Sequence, residues 1–141
     1  MDMRNGTAVF VYGSLMTDFW NRRLMRNAKV RPGATNGTMF SLGSFPGIFD
    51  IGDGAVRGEF AVVNDAVLDA LDYLEGNGRF YTRVLKRVVL DDGEEREAWI
   101  YCLPINRLRE ARGNWTLIPD GDWRRFQNER GHDDAEWEDA E

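Results

Sequence analysis

The chain has 141 residues, of which 43% are hydrophobic and 12% aromatic, and its 18 basic and 24 acidic side chains give a formal net charge of −6. This length predicts a single domain, and the apolar content excludes wholesale disorder. The acidic excess argues against a non-specific nucleic-acid binder, which typically carries a basic stripe.

The chain contains one cysteine, Cys102, and one histidine, His132. These counts exclude an intramolecular disulfide framework and a cysteine-rich zinc site, and they give little support to Ser-His-Asp or Cys-His catalysis. The longest apolar run near the N-terminus, residues 8–12, is too short for a signal sequence or a membrane span. We therefore expect a cytoplasmic protein that acts without a metal or cofactor and has neither membrane nor nucleic acid as a partner.

The first predicted element is a buried strand. Residues 7–12 are β-branched and aromatic, with no polar alternation, and the run stops at Gly13. Thr17 or Asp18 can cap a helix that continues to about Asn27.

The middle of the chain is rich in glycine but also in large apolar residues. Residues 31–58 hold seven of the 15 glycines, and this mixture predicts short strands and tight turns that form part of a small barrel. Residues 55–63 read as a strand. Asn64 and Asp65 then begin a helix that ends at Gly76, the residue type expected just after a helix.

The remaining elements are a hairpin and a less regular segment. Residues 80–90 and 96–103 predict two strands joined by a turn at residues 91–93. Residues 106–128 are amphipathic and complete a domain of residues 1–128. The acidic residues 129–141 predict a flexible tail.

The turn after the first strand, residues 12–15, is one candidate site. A strand that breaks at a glycine just before a helix can direct several backbone N–H groups into one concavity, where they attract a carboxylate or carbonyl oxygen. The same pattern is also typical of an ordinary strand-to-helix turn.

Glu75 is the second candidate, because of its position on the predicted helix. At about 100° per residue, Val67, Leu68, Leu71 and Leu74 form an apolar stripe. Glu75 follows Leu68 by seven residues and falls about 20° from it, which places a carboxylate on the face toward the core.

Burial and the negative end of the helix dipole both raise the pKa of such a carboxylate, which suits a general acid/base near neutral pH. Alternatively, Glu75 turns toward water or pairs with Arg79 or Arg83. Cys102 lies in an alternating apolar strand and is more typical of a buried structural thiol than of a nucleophile.

Together, these segments resemble the γ-glutamylcyclotransferase-like superfamily, in its AIG2-like branch. The likeness runs from about Thr7 to Trp123 and depends on the order and spacing of short motifs. These are Tyr12-Gly13-Ser14-Leu15, Arg57-Gly58-Glu59-Phe60, Leu71-Asp72-Tyr73-Leu74-Glu75 with Tyr81-Thr82-Arg83, and Gly121-Asp122-Trp123.

The resemblance implies an α+β fold, a small mixed β-barrel with flanking helices, and a cofactor-free reaction on a small γ-glutamyl substrate. The substrate, a γ-glutamyl amine or peptide, is attacked at its γ-carbonyl by its own α-amine, which gives 5-oxoproline and expels an amine or amino acid. By motif match, Glu75 is the general acid/base. The backbone of Tyr12, Gly13, Ser14 and Leu15 holds the γ-glutamyl group, and Tyr81 lines the pocket.

The resemblance leaves two questions open. Better-characterised cyclotransferases have Asn after Tyr-Gly-Ser, whereas Leu15 stands here as in the AIG2-like branch, so the resemblance does not identify the leaving group. A fold can also outlast its chemistry. The alternative is a non-catalytic small-molecule-binding or protein-interaction module, the latter acting through the acidic tail with Trp137.

Overall fold

The computed structural model describes residues 6–17 and 19–130. Its strands in chain order are β1 (Thr7–Val11), β2 (Val30–Asn36), β3 (Thr38–Ser41), β4 (Pro46–Phe49), β5 (Ala55–Val63), β6 (Thr82–Leu90), β7 (Glu95–Cys102) and β8 (Thr116–Ile118).

Five of the strands close into a barrel in the order β1-β5-β2-β6-β7. Neighbours pair antiparallel except at the closing seam, where β1 and β7 run parallel and Val9 lies opposite Trp99. The remaining strands form a three-stranded sheet in the order β4-β3-β8. The structure therefore confirms the predicted α+β fold with a small mixed barrel.

The helices flank this barrel. α1 spans Asp65–Glu75, α2 spans Leu108–Asn114, and residues 123–130 form α3. Short 3-10 helices occupy Trp20–Met25 and Ile105–Arg107. None of the described helices is long and apolar enough to cross a membrane.

The predicted ends of α1 are confirmed by their capping geometry. The Asn64 side chain accepts a hydrogen bond from the N–H of Val67 at 2.8 Å, which satisfies one of the free donors at a helix start. Gly76 adopts φ 59°, and its N–H bonds back to carbonyls of the last turn. This left-handed residue stops α1 directly after Glu75.

The core contains β-branched and aromatic side chains from both sheets. Val9, Phe10 and Ile100 are buried within the barrel, and Phe49 is buried on β4. Trp123, at the start of α3, is almost fully buried as well. Because large apolar side chains supply most of the burial free energy, the last helix belongs to the folded domain.

Two sequence-based expectations need correction or fall outside the described range. The predicted helix from Thr17 or Asp18 is a 3-10 helix that starts at Trp20, with no side-chain cap. Thr17 instead contacts a buried carboxylate on β5, and Asp18 lies outside the described residues. Of the predicted tail, residues 129 and 130 continue α3 and residues 131–141 lie outside the described residues.

Gly121 connects β8 to α3 and approaches β5 closely. It adopts φ 61°, and its carbonyl accepts a hydrogen bond from the N–H of Arg57 at 2.8 Å. An added Cβ would lie 1.8 Å from the carbonyl oxygen of Ala55. We therefore expect Gly121→Ala to lower the free energy of unfolding by about 2 kcal/mol or more, measured by chemical denaturation.

Gly113, near the end of α2, provides the matched control. An added Cβ there meets no atom within 4 Å outside its own helix, so Gly113→Ala should keep stability or raise it by up to about 1 kcal/mol. Equal stability of the two variants would contradict the close approach at Gly121.

Candidate active site

A cavity of about 460 Å³ lies between the turn after β1, the β3–β4 hairpin and the C-terminal end of α1. The six residues predicted as site residues all line it: Tyr12, Gly13, Ser14, Leu15, Glu75 and Tyr81. The fold therefore brings together two segments that are about sixty residues apart in the chain.

The turn after β1 has free backbone donors. Two of its carbonyls are occupied, since Gly13 accepts from the N–H of Met16 at 3.0 Å and Ser14 accepts from the N–H of Asn21 at 3.1 Å. The N–H groups of Gly13, Ser14 and Leu15 donate to no acceptor among residues 6–17 and 19–130. These three donors are available to an oxygen atom bound in the cavity.

Asn21 supports this turn from the 3-10 helix. Its side chain is only 7% exposed and donates from Nδ2 to Ser14 Oγ at 2.8 Å. Asn21 was not predicted as a site residue, because neither its spacing nor its neighbours distinguish it from an ordinary surface asparagine. Its position beside Ser14 depends on the fold of the 3-10 segment.

Glu59, on β5, holds the end of the same turn. Glu59 is 7% exposed, and its carboxylate accepts hydrogen bonds from the N–H and the Oγ1 of Thr17 at 2.8 and 3.1 Å. Arg124, on α3, donates to the Thr17 carbonyl at 2.8 Å and to Glu59 at 3.2 Å. The turn is thus tied both to the barrel and to the last helix.

Glu75 lies at the opposite wall, in the last residue of α1. Burial raises the pKa of its carboxyl to about 7. Its carboxylate forms no ion pair within the described part of the chain, and the predicted alternative partner Arg83 bonds to Asp72 at 2.7 Å instead. Glu75 therefore presents to the cavity a carboxyl that titrates near neutral pH.

Asp72, one turn before Glu75, connects α1 to the barrel through hydrogen bonds. Asp72 accepts from Arg83 on β6 and, at 2.6 Å, from the hydroxyl of Tyr101 on β7. Leu74, expected in the buried stripe, is instead 39% exposed and lines the cavity. Val67 and Leu71 alone are fully buried on this helix, because its C-terminal end extends past the core to the cavity mouth.

Three tyrosines contribute to the cavity wall with their hydroxyls already engaged. Tyr12 donates to the carbonyl of Tyr101 at 2.6 Å, and Tyr81 donates to the carbonyl of Pro46 at 2.7 Å. Burial raises the pKa of Tyr12, Tyr81 and Tyr101, so all three stay neutral near pH 7. They shape the cavity and leave Glu75 as its titrating group.

Cys102 does not line the cavity, and the described residues contain no group of side chains that could hold a metal ion. Burial raises the pKa of the Cys102 thiol to about 12, which makes it a poor nucleophile. Among the described residues, no three His, Cys, Asp or Glu side chains converge in a way that could hold a metal ion.

The family pattern described as "Gamma-glutamyl cyclotransferase, AIG2-like" matches residues 9–125 of the chain. The chain belongs to this family. The match covers the barrel, both walls of the cavity and the start of α3. It confirms the resemblance that the short motifs indicated.

Known proteins with a similar sequence or fold support this family assignment. The Escherichia coli K12 protein YtfP, named a gamma-glutamylcyclotransferase family protein, is 34% identical over 119 residues, which are 82% of this chain and 94% of YtfP. The crystal structure of Bacillus subtilis YkqA is similar with a TM-score of 0.69 at 26% identity; the match covers 86% of this chain but 41% of YkqA. The crystal structure of a mouse AIG2-like protein has the same fold, with a TM-score of 0.61 at 23% identity. The match covers 70% of this chain and 77% of the mouse chain.

We call the hydrogen bonds of Glu59 to Thr17 and Arg124 the Glu59 tether. Replacing Glu59 should therefore lower the stability of this family member. In Glu59→Gln, the amide has one acceptor end, so it cannot accept from both Thr17 and Arg124. We expect the free energy of unfolding to fall by about 1–3 kcal/mol, measured by urea denaturation.

Glu94→Gln is the control, because Glu94 accepts from Arg31 and Arg96 at 2.8 and 2.6 Å on the exposed surface. Exposed ion pairs contribute little, so this variant should stay within about 0.5 kcal/mol of the parent. An equal loss in the two variants would argue against the tether.

Burial of Glu75 also predicts how stability depends on pH. Its pKa rises from 4.5 to about 7 on folding, so the folded state retains the proton more tightly than the unfolded state. Stability therefore falls as the pH rises from about 4.5 to about 7, by at most about 3 kcal/mol. Glu75→Gln removes this cost, and its Tm advantage over the parent should be larger at pH 8 than at pH 5.

Asp69→Asn controls for loss of a charge from the same helix, since Asp69 is exposed. A Tm advantage of Glu75→Gln that is the same at both pH values, or smaller at pH 8, would contradict the raised pKa of Glu75.

Proposed function

We propose that the protein cyclises γ-glutamyl compounds to 5-oxoproline and releases the amine or amino acid attached to the γ-carbonyl. The observation that carries the proposal is Glu75, a carboxyl with a pKa of about 7 that lines the same cavity as the N–H groups of residues 13–15; none of these groups has a partner among residues 6–17 and 19–130. Membership of the γ-glutamyl cyclotransferase family supports the reaction class.

The turn after β1 supplies the binding groups in this proposal. The N–H groups of Gly13, Ser14 and Leu15 donate to oxygen atoms of the γ-glutamyl group, as fixed backbone dipoles do at other anion sites. The hydrogen bonds that Asn21 donates to Ser14 and that Glu59 accepts from Thr17 hold this turn before substrate binds. Little ordering is then left to occur on binding.

Glu75 moves the proton. The substrate's α-amine gives a proton to the Glu75 carboxylate, and its nitrogen forms a bond to the γ-carbon. The bond from that carbon to the leaving nitrogen then breaks, and Glu75 returns the proton to the leaving nitrogen. The atoms balance as an intramolecular aminolysis, with no water, metal or redox partner consumed.

The pKa of Glu75 suits both halves of this transfer. A base with a pKa near the working pH is present in both protonation states, which general acid–base catalysis requires. A glutamate with the usual pKa of 4.5 would be a weaker base, and at neutral pH it would hold only a small fraction of the protons it must pass on. Tyr81 contributes as a wall residue, and burial keeps it protonated.

Replacing Glu75 tests the mechanism directly. The Gln side chain keeps the volume and a polar end but has no basic site, so 5-oxoproline release should fall roughly 10²–10⁴-fold. The parent's kcat/KM should fall as the pH drops through about 7. Both quantities are measured by mass-spectrometric detection of 5-oxoproline from a library of γ-glutamyl compounds.

Asp69→Asn removes a carboxylate from the exposed side of α1 and should keep full turnover. A fully active Glu75→Gln variant would remove Glu75 from the mechanism. Absence of 5-oxoproline from every library member would favour the alternative, a non-catalytic binding module on the same fold.

A further inference from the structure

Tyr101 lies between the two walls of the cavity. It is on β7, is 3% exposed and lines the cavity. Its hydroxyl donates to Asp72, one turn before Glu75, and its carbonyl accepts from the hydroxyl of Tyr12, where the turn after β1 begins; both bonds are 2.6 Å long. Tyr101 is thus hydrogen-bonded to the wall that carries Glu75 and to the wall that carries the N–H groups of residues 13–15.

The two walls are connected through β7 rather than to each other. Among residues 6–17 and 19–130, no hydrogen bond joins residues 12–15 directly to α1, and Tyr101 alone is hydrogen-bonded to both. β7 pairs with β6 on one side and with β1 on the other, and strands in the core of a sheet belong to the most stable part of a domain. Tyr101 therefore gives both walls a common fixed point.

We propose that Tyr101 is a positioning residue that sets the distance between Glu75 and the substrate groups held by the turn after β1. The inference rests on the proposed function, in which the amine of a substrate bound to that turn gives its proton to Glu75. Such a transfer needs the two heavy atoms about 2.6–3.2 Å apart, and a misplacement of about 1 Å can cost roughly 10²-fold in rate. Tyr101 acts through Asp72 and Tyr12 and gives no group to the reaction.

Asp72 has a second partner, so the Tyr101 hydroxyl can be removed without unfolding the site. Arg83 donates from Nε to Asp72 at 2.7 Å. Its guanidinium lies 5.0 Å from the ring centroid of Trp99, which is also on β7. Loss of the Tyr101 hydroxyl should therefore loosen the end of α1 and leave Asp72 paired.

Tyr101→Phe tests the positioning role. The variant keeps the ring and the carbonyl that Tyr12 contacts, and it loses only the bond to Asp72. We expect kcat for 5-oxoproline release to fall roughly tenfold or more, because Glu75 is no longer held at one distance from the amine. KM should stay within about twofold of the parent, because the backbone donors that bind the glutamyl group remain.

Thr35→Val is the matched control. Thr35, on β2, is 6% exposed and its hydroxyl donates to the carbonyl of Arg87 at 2.6 Å, but it does not line the cavity. The variant loses a buried hydroxyl donor of the same bond length and should lose a similar amount of stability. It should keep the kcat and KM of the parent.

A double variant tests whether the two bonds of Tyr101 act as one connection. Tyr12→Phe removes the other bond and should also lower kcat. Because the bonds lie in series between the walls, breaking either one already frees the distance. The double variant should therefore lose less than the product of the two single losses, and a loss equal to that product would count against a shared connection.

Hydrogen exchange of backbone amides gives a readout that does not need the reaction. The N–H of Asn77 donates to the Asp72 carbonyl at 3.0 Å at the end of α1, and the N–H of Leu68 donates to the Asn64 carbonyl at 2.9 Å at its start. In Tyr101→Phe, exchange should become roughly tenfold faster at Asn77 and stay within about twofold at Leu68. Equal acceleration at both positions would indicate a global loss of stability and would contradict a local role.

The outcomes separate this proposal from the proposed function. Full turnover in Tyr101→Phe, or an equal loss of kcat in Thr35→Val, would overturn the positioning role while leaving the cyclotransferase activity in place. Absence of 5-oxoproline from the parent with every γ-glutamyl compound would overturn the proposed function. The exchange rate at Asn77 would then still decide whether Tyr101 holds the end of α1.

Discussion

The site depends on one carboxyl group that the fold partly buries and that has no ion-pair partner in the described part of the chain. Glu75 ends α1 at the negative end of the helix dipole, and burial raises its pKa to about 7. Both surroundings disfavour a charge there. The bonds of Asp72 to Tyr101 and Arg83, one turn earlier, hold the helix end against the barrel. The fold therefore stabilises the position of Glu75 through its neighbours and leaves the carboxyl itself free.

The opposite wall follows the same principle with a different chemical group. The turn after β1 has three N–H donors without an acceptor among the described residues, and it is held in place by the hydrogen bonds of Ser14 to Asn21 and of Thr17 to Glu59. Glu59 is more deeply buried than Glu75, but it accepts hydrogen bonds from Thr17 and Arg124. The two carboxylates therefore differ in their hydrogen-bond partners: Glu59 positions the backbone of the turn, whereas Glu75 has no partner within residues 6–17 and 19–130.

Local patterns in the sequence were enough for the parts of the site that depend on a single segment. The caps of α1 and the period of its apolar residues predicted both its ends and the placement of Glu75. The predicted burial of Leu74 was wrong, because the end of the helix extends beyond the core. Contacts between distant segments had no such signal. Asn21 reaches Ser14 through a 3-10 segment, and Phe45 reaches the cavity from a hairpin tip. No periodicity in either segment encodes the partner, so these residues emerge only from the closed fold.

The cavity is lined both by polar groups and by apolar surface. Free backbone donors line one wall and the Glu75 carboxyl lines the opposite wall, whereas Phe45, Tyr73 and Leu74 are exposed to water. Keeping such side chains in water gains nothing for folding, since the core is already filled by other residues. Contiguous exposed apolar surface at a cavity is typical of a binding site, so their exposure is consistent with a cavity that offers hydrogen-bond donors and apolar surface side by side.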